Sequence, residues 1–467
     1  MYFKKGKIMA KLAILILVLS IITTFNLVDA SSKENIELLN NEPQQELALL
    51  FGESTINMSI PNNLSFTFNY SRIVPLNYGN QATILFSVNE EDLPEGVEYQ
   101  ILNDTHPPNK IINFTITPEA KGENISIHLQ YWVLVKNKDY TDLPLYAKIP
   151  KEEELPEETK TWLASTANVQ CDNFLIKLKA RQLKGLSNNL IKLSNRIVFS
   201  TCSLIQKPLM KMSNIRQNVI YPLAHRISGY NAWVPLSDAF SALLLRGNCA
   251  AVAHLGAALF RANEVPARSI IITPTPTYGR DIGVEQHWIA EYYCPDYGWI
   301  PAETMFGCTP PYGIPEFVVS KASKSMGLNF NTVYETKSYI VLRINHPDDE
   351  NNAGNGLSYY GGHEPYETFN PKECCSFREE NWSHTYGWIQ KELDTDIGKA
   401  NLALNLTKDV YDLHTKYIGM NLTGADSLHF INATTAQENA IQCFKNSDIN
   451  GYQNNMTLAY QEYMEIE

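Results

Sequence analysis

Apolar and polar residues alternate along the N-terminal part of the chain, between Glu46 and Asn137. A period of two places alternate side chains on opposite faces of a β-strand, so that one face can be buried. Pro, Asn and Gly separate the alternating runs, as expected for tight turns between strands. About six or seven short strands of this kind predict an antiparallel β-sandwich of immunoglobulin-like type.

The periodicity changes after a linker rich in Pro, Lys and Glu at residues 139–159. Beyond it, apolar positions recur at helical spacing, and short β-branched runs separate the helices. This mixture predicts a central α+β domain. Its predicted elements are helices at Phe174–Lys184, Leu190–Val198 and Cys249–Ala262, strands near Ser269–Thr273 and Ser338–Ile344, and a hairpin that turns at Pro295–Gly298.

The C-terminal part of the chain is rich in Asn and has Ala and Leu at near-helical spacing. From Tyr386 to Glu467 this pattern predicts a small helical appendage. The predicted organisation is a targeting segment at 1–30, the β-sandwich at 31–138, the α+β domain at 139–345, and a mainly helical region at 346–467.

The N-terminus has the pattern of an export signal. Several lysines precede an apolar run from Leu12 to Val28, and Ala30 ends a small-residue cleavage site. The alternative is an uncleaved anchor, because the run approaches the roughly 17 residues that can span a bilayer. Either interpretation predicts a secreted or cell-surface protein, which contacts a membrane only through this segment.

Asn-x-Ser/Thr triplets, the acceptors of N-linked glycans, are frequent and unevenly distributed. None lies between Asn124 and Asn381, the stretch that holds the candidate chemistry. This distribution is typical of a glycoprotein with sugars on its flanking parts and a bare central domain. The eleven triplets begin at Asn57, Asn63, Asn69, Asn103, Asn113, Asn124, Asn381, Asn405, Asn421, Asn432 and Asn455.

Charge and cysteine content narrow the functional class of the protein further. Acidic residues outnumber basic ones by 50 to 38, which argues against nucleic acid as a partner. Eight cysteines in an exported protein suggest disulfides, and Cys171 and Cys202, which bracket two predicted helices, are one candidate pair. The sequence does not fix the connectivity of the other candidates, which are Cys294, Cys308, Cys374 and Cys375.

Cys249 begins a helix of small residues, where Asn248 is a candidate N-cap. A thiolate in the first turn gains from the helix dipole and from free backbone N–H groups, which lower its pKa. The same N–H groups can hold the oxyanion of a tetrahedral intermediate. Taken alone, however, a cysteine in an exported protein is more often structural, either buried or half of a disulfide.

His287 and Glu303 are the partners that a thiol nucleophile needs. His287 begins a predicted strand, and Glu303 follows the return strand of the hairpin. A five-residue connection, Tyr293–Tyr297, would place them opposite each other, whereas a shorter loop would move them apart. In this arrangement His287 removes the thiol proton and Glu303 holds the imidazolium. The predicted catalytic residues are therefore Cys249, His287 and Glu303.

The order and spacing of these residues match a family pattern. Gly247-Asn248-Cys249 is followed by RANEVPAR at Arg261–Arg268, by His287-Trp288, and by GWIPAE at Gly298–Glu303. With this order, the segment 238–304 resembles the transglutaminase-like superfamily of papain-like thiol enzymes. The resemblance implies a Cys-His-Asp mechanism with Cys249 as nucleophile and His287 as base, and it places Glu303 at the Asp position.

The Glu in place of Asp is the one departure from that pattern. Glu is one methylene longer than Asp, so it can orient His287 only if the hairpin is shifted to suit. Weaker candidates for the orienting role are Asp281, Glu291 and Asp296.

Other residues near the motif have supporting or structural roles. Trp233 and Gln286 are candidates for a second oxyanion donor. His254 is predicted to pack, since it lies about 140° around the helix from the thiol, and Arg268 is predicted to anchor a strand end. The acidic turn HPDDE at 346–350 favours a solvated loop over a cation site. No zinc, phosphate-loop or dinucleotide motif occurs in the sequence, so no metal or cofactor is predicted.

Two functions from different classes follow from the sequence. The first is an exported thiol enzyme that attacks amide bonds of a protein or peptide-like substrate, such as a cell-surface polymer, through a thioester. Transfer to water gives a cysteine peptidase or amidase, which is favoured because water is always present; transfer to an amine gives a cross-linking acyltransferase. The second is a catalytically inactive surface or envelope protein that uses the fold for binding or structure. The sequence does not indicate an oligomeric state.

Overall fold

The alternating N-terminal segment forms antiparallel strands. The computed structural model describes residues 45–60, 62, 64–89, 93–136, 143–206, 238–245, 249–274, 287–305, 307, 309, 339–351 and 386–466, and the predicted export segment lies outside them. The strands are β1 (Gln45–Ser59), β2 (Phe68–Val74), β3 (Gln81–Val88), β4 (Val97–Asn103), β5 (Lys110–Ile116) and β6 (Asn124–Lys136).

These strands form two sheets that pack against each other. One has the order β1-β6-β3 and the other has the order β2-β5-β4. Phe86 and Ile127 from the first sheet and Ile112 and Phe114 from the second belong to one buried apolar cluster. The two-layer arrangement follows from the alternation, because each sheet buries the apolar face of its strands. The immunoglobulin-like type remains a prediction.

The central part mixes helices and strands, as its periodicity predicts. The helix predicted at Phe174–Lys184 is confirmed, and the next one extends beyond Val198 to Gln206. The elements are α1 (Glu157–Lys160), α2 (Phe174–Lys184), α3 (Leu190–Gln206), α4 (Ala239–Leu245), α5 (Cys249–Arg261), α6 (Pro347–Asn351), β7 (Ala267–Pro274), β8 (His287–Cys294), β9 (Gly298–Ala302) and β10 (Tyr339–Ile344).

Helix α5 is the centre of this α+β part. Strands β7 to β10 form an antiparallel sheet of order β10-β7-β8-β9, and α5 packs on it. Every residue from Ala250 to Arg261 is buried, and the ring of Phe260 stacks on that of Tyr292 at 4.7 Å between centroids. A helix that is apolar all round belongs in a core, which fixes its first residue at a defined place.

One strand lies where the sequence predicts a helix. Residues Tyr386–Thr395 form β11, which pairs antiparallel with β1, with Leu393 opposite Leu47. The prediction that the helical region begins at Tyr386 is therefore wrong. The physical reason is non-local, because β1 would otherwise present an unpaired row of backbone N–H and C=O groups at the edge of its sheet.

Three long helices follow β11 and cover the sheet that contains β1. They are α7 (Ile397–Tyr417), α8 (Gly424–Lys445) and α9 (Ile449–Met464). Small residues such as Ala403 and Ala436 are buried with Leu47 and Leu134 in a shared apolar cluster. The Ala spacing in the sequence therefore allows the helices to pack closely against the sheet. This region is not an isolated appendage.

The β-sandwich and the α+β part share a core. Ala250 of α5 and Trp288 of β8 belong to the same apolar cluster as the inner faces of the two sandwich sheets. By their contacts, residues 44–467 group into one unit, and the predicted domain limits remain a prediction. In the part of the chain that the structure describes, no helix has the length and apolar character needed to cross a membrane.

Candidate active site

Helix α5 places the predicted nucleophile at its first residue. The Cys249 side chain is partly buried, whereas the helix behind it is fully enclosed. In the first turn of a helix the backbone N–H groups have no partner within the helix, so they are available to a negative charge. Gly247 and Asn248, the predicted helix start and cap, lie outside the described residues.

His287 and Glu303 are in direct contact. Nε2 of His287, the first residue of β8, lies 2.7 Å from Oε2 of Glu303, and both side chains are only 9% exposed. The other carboxylate oxygen of Glu303 accepts a hydrogen bond from the backbone N–H of Met305 at 2.9 Å. The carboxylate is therefore held at both oxygens, which allows it to fix the orientation of the imidazole ring.

The thiol of Cys249 forms a hydrogen bond with the His287 ring. Because Nε2 is engaged by Glu303, this contact leaves Nδ1 as the nitrogen that faces the sulfur. The backbone N–H groups of Ala250 and Trp288 also donate to the sulfur. The structure therefore brings the three predicted residues together in the order thiol, imidazole, carboxylate.

Electrostatics in the site favour an ion pair. Burial alone would lower the pKa of His287, but the charge of Glu303 and the hydrogen bonds with Cys249 and Glu303 raise this pKa to about 10. Burial opposes ionisation of Cys249, yet the hydrogen bond and the charge of His287, with the N–H groups of Trp288 and Ala250, lower the pKa of the thiol. Both shifts favour a thiolate beside an imidazolium.

The register of the hairpin differs from the predicted one. The predicted five-residue connection, Tyr293–Tyr297, is wrong: Cys294 pairs with Gly298, so three residues connect the strands. If the pairing of β8 with β9 continues at this register, the residue opposite His287 lies two positions after Glu303. A shift of two residues keeps a side chain on the same face of the sheet, so Glu303 still points toward His287.

Glu291, a weaker candidate for the orienting role, is committed to a different contact. It lies opposite Arg268 on β7, and its Oε2 accepts hydrogen bonds from Arg268 Nε at 3.0 Å and from the Tyr78 hydroxyl at 2.9 Å. The guanidinium of Arg268 also stacks on Trp299, 3.8 Å from the ring centroid. Arg268 therefore anchors the strand, and Glu291 balances its buried charge.

The remaining predicted residues have other surroundings or lie outside the described residues. Asp296 is exposed in the hairpin turn. His254 is buried, and its ring meets that of Trp288 edge-on with 5.4 Å between centroids, which agrees with a packing role. The residues that lie outside the described part of the chain are Asp281, Trp233 and Gln286.

Gly256 is a site-forming residue that the sequence pattern alone did not single out. A Cβ at this position would lie 2.4 Å from Cγ2 of Thr304, the neighbour of Glu303. The Thr304 carbonyl in turn accepts a hydrogen bond from the Thr201 hydroxyl at 2.8 Å. The absence of a side chain therefore lets α5 approach the turn that carries Glu303. A glycine within an Ala-rich helix costs stability, which is a sign of such a packing requirement.

The acidic turn at 346–350 is not the solvated loop that the sequence favours. Glu350 is fully buried in a bidentate pair with Arg261, with N–O distances of 2.8 and 2.9 Å. Arg261 is the first residue of the RANEVPAR run and the last of α5, so this pair fixes the far end of the helix. The sequence alone does not reveal that Glu350 is buried, because its partner Arg261 is distant along the chain.

The pairing suggested for Cys171 and Cys202 is not formed. Cys171 is a buried free thiol whose Sγ lies 3.6 Å from the Leu163 carbonyl oxygen, and burial raises its pKa. Three other cysteines of the predicted set, Cys308, Cys374 and Cys375, lie outside the described residues.

Comparison with known proteins gives a family match over the segment that contains the candidate site residues. Residues 201–304 match the family model of the transglutaminase-like superfamily. No curated protein matches the chain. A solved structure, of a candidate cysteine protease from Cytophaga hutchinsonii, is similar at 14% sequence identity over 66% of this chain and 84% of that chain, with a TM-score of 0.43. The family match contains Cys249, His287 and Glu303, and residues 201–304 of this chain belong to the transglutaminase-like superfamily.

Proposed function

We propose that this chain is an exported cysteine peptidase or amidase, which cleaves amide bonds of a protein or peptide-like substrate through a thioester on Cys249. The observation that carries the proposal is the continuous contact from Glu303 through His287 to Cys249. A thiol alone is a common structural feature, whereas a thiol paired with an oriented imidazole is a nucleophile.

Acylation starts from the ion pair. The Cys249 thiolate attacks the carbonyl carbon, so that a C–S bond forms and the carbonyl π electrons move to the oxygen. Backbone N–H groups at the start of α5 stabilise this oxyanion. The His287 imidazolium then gives a proton to the amide nitrogen, the C–N bond breaks, and the amine leaves a thioester behind. Glu303 stays ionised and holds the ring.

Deacylation reverses the proton movement. Neutral His287 accepts a proton from water as the water oxygen attacks the thioester carbonyl carbon. The C–S bond then breaks, which releases the carboxylic acid and restores the thiolate beside the imidazolium. An amine in place of water would give a new amide, which is the cross-linking outcome. Hydrolysis is the proposed outcome because water is present at every site open to solvent.

The proposed location outside the cell is supported by the placement of the glycan acceptor triplets. Each of the exposed acceptors belongs to the β-sandwich or to the helical layer, whereas the acceptor Asn113 is buried. The exposed acceptor side chains are Asn69, Asn103, Asn124, Asn405, Asn421 and Asn432.

The proposal is tested by the rate at which iodoacetamide alkylates the protein near neutral pH. We expect fast, stoichiometric alkylation of the wild type that is lost in Cys249→Ala. The matched control is Cys443→Ala, which removes a partly buried free thiol without an imidazole partner and should keep the fast phase. Fast alkylation that survives Cys249→Ala would contradict the proposal.

Measurements of turnover distinguish water from an amine as the acyl acceptor. They also distinguish both enzymes from a catalytically inactive protein. The wild type is incubated with a pool of peptide amides, with and without a fluorescent primary amine. Release of new carboxyl groups that depends on Cys249 supports hydrolysis, and covalent incorporation of the amine supports cross-linking. Slow alkylation together with no turnover on any peptide would instead indicate a binding or structural protein.

A further inference from the structure

A second cluster of chemically active side chains lies outside the candidate active site. His106 is in the connection between β4 and β5, while His346 and Asp348 follow β10. One potential ligand atom from each residue lies within 4.8 Å of the others. The cluster thus joins the β-sandwich to the α+β part.

The distances in the cluster suit a shared metal ion. Oδ2 of Asp348 lies 3.6 Å from Nε2 of His106 and 3.3 Å from Nδ1 of His346. Two ligands of one tetrahedral ion with bonds of about 2.0–2.1 Å are about 3.3–3.4 Å apart. The carboxylate oxygen is therefore already close to a ligand position relative to both rings.

Buried polar contacts hold the two segments that carry these ligands. The Asn109 side chain donates to the Ile344 carbonyl and accepts from the Ile344 N–H, each at 2.8 Å. Arg343 forms a buried ion pair with Asp104. These contacts lie within three residues of His106 and His346, so the backbone at the cluster is fixed before any ion binds, which lowers the entropic cost of binding.

The rings need a small adjustment to bind an ion. The His106 and His346 rings are stacked with 3.8 Å between centroids and 12° between planes, so one must turn about χ2 to aim its lone pair at a common point. Rotation about this bond is soft. Nδ1 of His346 accepts a hydrogen bond of 3.3 Å from the Asp348 N–H, which a metal bond at this nitrogen would replace.

From this geometry we propose that His106, His346 and Asp348 bind a divalent transition metal of the zinc type. Two imidazole nitrogens and one carboxylate suit Zn²⁺ rather than Ca²⁺ or Mg²⁺, which prefer sets of oxygen ligands. The side chains are 21%, 26% and 71% exposed in that order, so water completes the coordination. The ion clamps the β4–β5 connection to the start of α6.

The experiment is a calorimetric titration of the full chain with ZnCl₂ in a Cys249→Ser background, which removes the thiolate as a competing ligand. We expect one equivalent of bound zinc to be lost in His106→Gln and in His346→Gln, with at least about tenfold weaker binding in Asp348→Asn. CaCl₂ at the same concentration should not displace the zinc. Zinc should also raise the Tm of the parent but not of the His variants.

The matched control is His429→Gln. His429 forms a partly exposed pair with Glu462 at 2.9 Å, so it resembles the cluster but lacks a second imidazole. This variant should bind zinc as the parent does. Equal zinc stoichiometry in the parent and in His106→Gln would overturn the proposal, as would the absence of binding to the parent. If His106→Gln does not fold, unchanged affinity in the surface variant Asp348→Asn overturns the three-ligand site.

Discussion

The carboxylate of Glu303 reaches Nε2 of His287 at 2.7 Å although the two residues are not partners across the β8–β9 hairpin. In the observed register Glu303 is diagonal to His287 rather than opposite it. Diagonal neighbours on one sheet face are about 7–8 Å apart, a distance that only long side chains close. The extra methylene of Glu, relative to the Asp of the family pattern, therefore matches the position from which it acts.

Shortening this side chain should impair the site even though it restores the family's residue type. Glu303→Asp withdraws the carboxylate by about one C–C bond, 1.5 Å, which takes it beyond hydrogen-bond reach of His287. We expect kcat/KM for peptide amide hydrolysis to fall by about tenfold or more, because the base is no longer oriented. An Asp variant as active as the wild type would show that the length of Glu303 is not needed.

Glu303→Gln is the companion variant, because it keeps the length and removes the charge. Its amide can still hydrogen-bond to the ring, but it cannot stabilise the imidazolium. We expect a loss of roughly a thousandfold or more in kcat/KM, as for removal of the carboxylate charge in a Ser-His-Asp triad. If Glu303→Gln were less impaired than Glu303→Asp, orientation rather than charge would be the main contribution of this residue.

The pH dependence of alkylation should report the ion pair. The lowered pKa of Cys249 means that the thiolate is present above that pKa and is lost as pH falls through it, so the midpoint of the alkylation profile should lie below the ordinary thiol value of 9.0. Glu303 is the main group that raises the pKa of His287. In Glu303→Gln the imidazolium is less stable, and the alkylation midpoint should move up toward 9.0.

The measurement is the rate of iodoacetamide labelling from pH 4 to pH 10, read at Cys249 by peptide mass spectrometry. Cys443 in the same samples is the internal reference, because no imidazole partner acts on it. Superimposable profiles for the wild type and Glu303→Gln would refute the coupling between the carboxylate and the thiol.

Local patterns in the sequence predicted much of the fold. They also predicted Cys249, His287 and Glu303, which the structure brings into contact. Helix α2 has the predicted limits, because helical spacing is a local property of the chain. The order of Cys249, His287 and Glu303 was likewise readable from spacing. The hairpin register was not, since turn geometry decides it and several loop lengths fit the same residues.

The features that sequence reasoning missed depend on contacts between distant segments. Strand β11 forms because β1 offers an edge, and the residues of β11 do not carry that information. Glu350 looks like a surface acid until Arg261 is placed beside it. Gly256 looks like an ordinary break in an Ala-rich helix until Thr304 lies against it. In each case the partner is distant along the chain.

Filling the space at Gly256 should disturb both stability and the site. In Gly256→Ala the new Cβ would overlap Cγ2 of Thr304, which has to move together with the adjacent Glu303. We expect the free energy of unfolding to fall by about 1–3 kcal/mol, the usual cost of overpacking. We also expect a lower kcat/KM in the folded fraction, because displacement of Glu303 changes the orientation of His287.

The matched control is Gly398→Ala near the start of α7, where a Cβ would meet only the Asp396 carboxylate at 3.3 Å. This helical glycine is exposed, so the change should leave stability unaltered or raise it by up to about 1 kcal/mol. Urea unfolding of both variants makes the comparison. Equal effects at the two positions would mean that the approach of α5 to Thr304 is not tight.

The buried pair of Arg261 and Glu350 should contribute to stability rather than to catalysis. Glu350→Gln leaves the Arg261 charge without its counter-ion in a fully buried site, so we expect a loss of about 3–5 kcal/mol in the free energy of unfolding. The double variant Arg261→Met, Glu350→Leu removes both charges and should recover part of that loss. The exposed pair Glu157–Lys160 is the control, and Glu157→Gln should leave the unfolding curve unchanged. A double variant no more stable than Glu350→Gln would show that the other Arg261 hydrogen bonds, to Ala164 and Ala267, matter more than the charge pair.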